Sequence, residues 1–133
     1  MEKQFNPGSI RVTLEERDGY LRFTVSGLYN FEDFKVLVTA FRDESILAKV
    51  GKALLDVRQL QGSVPNIDRY NLGQLFAKTW AEVLKMGIIG RPDHEDPLFE
   101  NTAVNRYAQV MVNDDERTVL DWLLAPEPPA PGT

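Results

Sequence analysis

Apolar and polar residues alternate through Ile10-Arg11-Val12-Thr13-Leu14-Glu15 and again through Tyr20-Leu21-Arg22-Phe23-Thr24-Val25-Ser26. Residues two apart share a face of a strand, so both runs predict strands with one buried and one wet face. Glu16 to Gly19 reads as the turn between them. Gly19 can take a positive φ, and the two runs are expected to pair as an antiparallel hairpin that starts the sheet.

After Gly27 the period changes. Phe31, Phe34, Val38 and Phe41 fall on one stripe of a helix, with Glu32, Asp33, Lys35 and Arg42 on the other side. Asn30 is the expected N-cap, and Glu32 and Asp33 suit the positive end of the helix dipole, which places the helix over about 31–49. A second stripe, Leu72, Leu75, Phe76, Thr79, Trp80 and Val83, predicts a helix over about 67–84.

Between and beyond these helices lie short apolar runs. Ala53-Leu54-Leu55-Asp56-Val57 and Lys85-Met86-Gly87-Ile88-Ile89-Gly90 read as central strands, and Gln109-Val110-Met111-Val112 as a last one. Asp56 inside the first run has two readings: a cap for the following loop through local hydrogen bonds, or a ligand or switch residue. A short helix is expected over 98–107. A final helix, capped within Asn113-Asp114-Asp115, turns Val119, Leu120 and Leu123 inward. The expected order is ββαβαβαβα: α/β, a mixed sheet with an opening antiparallel hairpin, later parallel strands and about four helices. The domain is placed at 10–124, after an amino-terminal extension over 1–9. The tail from 125 to 133 holds four prolines and is expected to be disordered.

Composition narrows the function more than it identifies one. The 133 residues include no cysteine and one histidine, which removes thiolate catalysis, Cys-ligated metal and disulfides. The net charge of −5 offers no general attraction to a phosphate backbone, so nucleic acid is not an expected partner. No signal core or apolar span is present, and a cytoplasmic location is expected.

Motifs for chemistry are weak. His94 lies in Pro92-Asp93-His94-Glu95-Asp96-Pro97, where no second histidine or cysteine can join it, and the segment reads as a solvated loop rather than a metal site. Gly51-Lys52 lacks the first glycine and the hydroxyl of a phosphate-binding loop and precedes a strand. No nucleophile has a histidine base at the spacing a triad uses. No cofactor and no enzymatic activity are expected. What remains is an aromatic set, Phe23, Phe31, Phe34, Phe41, Phe76 and Trp80, on elements expected to face one another. These rings either fill the core or line a cleft for an apolar ligand.

The chain resembles the SpoIIAA-like branch of the STAS superfamily, small bacterial domains related to sporulation anti-sigma factor antagonists. The resemblance is carried by Gly27-Leu28-Tyr29-Asn30-Phe31-Glu32-Asp33-Phe34, by Leu54-Leu55-Asp56-Val57 with Leu60-Gln61-Gly62, and by Asn105-Arg106-Tyr107-Ala108-Gln109-Val110 leading to Thr118-Val119-Leu120-Asp121-Trp122-Leu123. It implies a non-enzymatic module of the kind that binds partner proteins, nucleotides or lipophilic molecules. Two functions follow as expectations. The first is a module holding a small, largely apolar, lipid-like ligand against the aromatic set. The alternative is a protein-interaction module of a regulatory switch. A homodimer through the hairpin or a helix flank is also expected. Relatives are switched by phosphorylation of a serine at the start of the helix after the third strand. The Asp-Ser pair typical there is missing, and Ser63, the nearest hydroxyl, precedes Pro65, so no phospho-switch is expected.

Overall fold

The computed structural model describes residues 2–80, 84–91, 101–102 and 109–126. Six strands form one sheet in chain order: β1 (Glu2–Phe5), β2 (Ile10–Arg17), β3 (Tyr20–Leu28), β4 (Lys52–Gln61), β5 (Lys85–Ile89) and β6 (Gln109–Asn113). β1, β2 and β3 pair antiparallel, and β3 to β6 pair parallel. Three helices are described: α1 (Phe31–Ala48), α2 (Asn66–Trp80) and α3 (Glu116–Leu124).

The predicted hairpin is present, with Arg17 opposite Tyr20 and Gly19 at φ +86° in the turn. Two features differ from the expected order. Residues 2–5 add an edge strand, Phe5 lying opposite Val12, so the sheet reaches into the segment read as an extension. The strand expected to stop at Val57 continues to Gln61, after a register shift in its pairing between Thr24 and Ser26 of β3. The continuation exists because Ser26, Gly27 and Leu28 still offer a parallel edge to Gln59, Leu60 and Gln61. Of the short helix expected over 98–107, residues 101 and 102 are helical and the others lie outside the described residues, as do the His94 loop and the end of the tail.

The helices form where the periodicity placed them, for local reasons. Asn30 caps α1, its side chain accepting from the Asp33 amide at 3.1 Å. Lys49 ends the helix in a left-handed conformation, its amide donating to the Ile46 carbonyl. Asp115 caps α3 by accepting from the Thr118 amide and hydroxyl.

α1 and α2 cover one face of the sheet. There Phe23, Phe41, Phe76 and Trp80 are buried with Leu55, Met86 and Leu37 in the main core. The other face carries α3 over a smaller cluster of Leu54, Ile89, Val119 and Leu123. Gly87 permits that contact, because a Cβ there would lie 2.5 Å from Cγ1 of Val119.

Candidate functional site

The carboxyl ends of the parallel strands are where open α/β sheets present their ligand sites. Here that end holds a cavity of about 130 Å³ between α2 and strands β4 to β6. Its walls are apolar: Leu55 and Val57 from β4, Ile88 from β5, Val112 from β6, Leu72 and Phe76 from α2. Two charged side chains take part in the lining, Arg69 of α2 and Arg91 just after β5. Arg91 is held in place, donating to the carbonyls of Leu60 and Gly62 at 2.8 Å each.

Tyr29 closes one side. Its amide donates to the Gln61 carbonyl, and its hydroxyl donates to Asp68 Oδ2 at 2.9 Å, tying the β3–α1 connection to the first turn of α2. Burial, then the hydrogen bond and negative charge of Asp68, push the Tyr29 hydroxyl well above its ordinary pKa, so it stays a neutral donor. The residues beside this bond are apolar and exposed: Leu28 is 56% accessible and Ile67 is 64% accessible.

The predicted aromatic set divides. Phe34 and Phe76 stack at 6.3 Å and reach the cavity wall. Phe23, Phe41 and Trp80 do not line it. Phe23 packs on Phe41 at 4.5 Å, and Trp80 packs on Phe76 at 3.7 Å while its indole donates to the Val38 carbonyl. Phe31 sits half-buried in the first turn of α1 under the Lys35 ammonium. Four of the six rings therefore fill core or surface, because a helical stripe buries most of its length against the sheet and only its open end can border a cavity. The volume is also below the range of roughly 300–1,000 Å³ that drug-sized ligands occupy, which does not favour a lipid-like guest.

Across the sheet, beneath the start of α3, lies a charged cluster. Asp56 is only 4% exposed and its carboxylate is fully engaged. Oδ1 accepts from the amide and Nε of Arg58, and Oδ2 accepts from the guanidinium groups of Arg58 and Arg22 at 2.8 and 2.9 Å. Glu116 of α3 joins both arginines at 3.1 Å. Burial pushes the Asp56 carboxyl up, but the hydrogen bonds and charge of Arg58 and the charge of Arg22 outweigh it and hold the group below its ordinary value. Asp56 makes the expected local hydrogen bond to the Arg58 amide, but it stands inside β4, which runs on to Gln61, so it caps no following loop.

Arg69 and Arg91 stand in no motif that would single them out, and Tyr29 stands only within the segment that carries the resemblance. Arg22 and Glu116, 94 positions apart, stand in none either before the topology brings them together. Among the described residues no group of three or more metal-ligating side chains is assembled, and no helix is long and apolar enough to cross a membrane.

No protein-family model matches the sequence, and no curated protein does. Solved structures do match. An anti-sigma factor antagonist from Mycobacterium paratuberculosis superposes with a TM-score of 0.58 at 17% identity, over 89% of this chain and 97% of that one. An uncharacterised protein of the DUF3478 family with a SpoIIAA-like fold, from Shewanella loihica, superposes with a TM-score of 0.52 at 27% identity, over 90% of this chain and 97% of that one.

The fold is SpoIIAA-like. The resemblance read from the sequence to the SpoIIAA-like branch of the STAS superfamily is thereby supported, across nearly the whole chain. In this SpoIIAA-like sheet Ser63 is exposed and precedes α2, which begins at Asn66. Neither the lipid-like ligand nor the homodimer expected from the sequence gains support from these likenesses.

Proposed function

We propose that this chain is a non-enzymatic protein-interaction module of a regulatory switch, acting in the cytoplasm. The observation that carries the reading is the likeness, over nine-tenths of the chain, to a protein described as an anti-sigma factor antagonist. The surface proposed for the partner is the loop end around the Tyr29–Asp68 bond, where Leu28 directly precedes Tyr29, Ile67 directly precedes Asp68 and Tyr70 follows two residues later, all three exposed. Apolar residues at rigid loop ends are the usual anchors of such contacts, with the scaffold behind them fixing their spacing.

Phosphorylation of Ser63 is not the proposed switch. Three positions separate it from the first residue of α2, and Pro65 between them has no amide to offer a phosphate. Affinity capture from the native cell tests the reading, with the wild-type chain compared against Leu28→Ser/Ile67→Ser. The expected result is a regulatory protein retained in stoichiometric amount by the wild type and lost by the double variant, whose melting temperature is unchanged. The same proteins retained by both chains, or none by either, would contradict it.

A further inference from the structure

The turn between β2 and β3 sets a carboxyl group beside an uncommitted amide. Arg17 and Tyr20 are the last pair of the hairpin, so Asp18 and Gly19 alone make the connection, and both are exposed. Among the described residues the Asp18 carboxylate joins no hydrogen bond or ion pair, and the Gly19 amide donates to no acceptor. Gly19 has no Cβ to shield that amide, and the space around it is open. Beyond its chain neighbours a Cβ there would meet one atom, Cδ2 of Leu124 in α3, at 3.7 Å. Among the described aspartates only Asp114 is equally unpaired. The amide after Asp114 is not available, because Asp115 donates it to Asn113 Oδ1 at 2.9 Å.

We infer that Asp18 is a modification site, at which the folded chain itself converts aspartate to isoaspartate. The Gly19 nitrogen attacks Cγ of the protonated Asp18 carboxyl group, and its proton leaves with the carboxyl hydroxyl as water, closing a five-membered succinimide. Water then adds to one of the two ring carbonyls. Breaking the bond from nitrogen to Cγ restores aspartate. Breaking the bond from nitrogen to the main-chain carbonyl carbon leaves the chain running through Cβ and Cγ, with the α-carboxylate as the side group. The water lost is regained, so the mass does not change. The product adds a methylene to a two-residue connection that lies beside the last turn of α3.

Ageing of the full chain in neutral buffer, followed by digestion and electron-transfer fragmentation, which separates isoaspartate from aspartate at a given position, tests this. Isoaspartate is expected to accumulate at residue 18 and not at residue 114 of the same samples. Asp18→Asn should form the same product sooner, because ammonia then leaves in place of water, and the lost amide is read as a gain in mass. Asp18→Glu, whose longer side chain has to close a six-membered ring, should show loss of the product. Both substitutions lie in an exposed turn and leave Gly19 its backbone conformation. Aspartate retained at position 18 of the folded chain, whether or not the urea-unfolded chain converts, would overturn the inference, as would equal conversion at 18 and 114.

Discussion

Under α1 and α2 the sheet is held by interlocked rings, whereas under α3 four apolar side chains share the contact with a charged cluster. The difference has a physical consequence. Burial of Phe23, Phe41, Phe76 and Trp80 depends little on pH or salt, because no charge is involved. The α3 face depends on both, because Asp56 must stay ionised to satisfy Arg22 and Arg58. One face thus contributes stability that is insensitive to pH and salt, and the other ties its helix to a charged cluster that responds to both.

The largest effect should come from the ring face. Trp80→Ala removes a side chain that is 1% exposed and should cost about 3–5 kcal/mol in denaturant unfolding. A loss near 1 kcal/mol would mean that the core collapses around the gap.

Asp56→Asn tests the other face. It leaves Arg22 with only the partly exposed Glu116 as its acid and should cost about 2 kcal/mol, less than the ~3–5 kcal/mol of a fully buried pair because Arg58 keeps access to water. The native Asp56 pKa lies below its unfolded value, so its contribution is complete above about pH 4 and is lost as the pH falls through the lower native value. Acid should therefore loosen α3 first. Trp122, which stacks on Lys85 at 4.5 Å, reports this by fluorescence, and a Trp122 signal that changes only together with global unfolding would remove the distinction. Smallest of the three, Glu116→Gln should cost less than about 1 kcal/mol, because its pairs with Arg22 and Arg58 are partly open to solvent.

Much of this architecture was legible in the sequence, for reasons that also explain the gaps. The hairpin, α1, α2 and α3 announce themselves by period, the central strands by short apolar runs, and Asn30 and Asp115 by capping chemistry. β1 did not, because Glu2-Lys3-Gln4-Phe5 has one apolar residue and is a strand only by pairing with β2. The end of β4, Arg58-Gln59-Leu60-Gln61, looks like loop and is held by β3. The candidate cavity was half visible: its rings Phe34 and Phe76 stand in helical stripes, but Leu55, Val57, Ile88 and Val112 look like any buried strand. Period says which face a residue occupies, not whether the space opposite is filled.

The proposed partner surface beside Tyr29 lies at a loop end away from α3, which packs on the opposite face of the sheet. Hydrogen exchange of the chain, free and in complex with the protein captured from its native cell, tests this most directly. The prediction is slowed exchange over 28–30 and 62–71, with α3 and the Asp56 cluster exchanging as in the free chain. Protection confined to 116–124, or exchange unchanged everywhere, would contradict it.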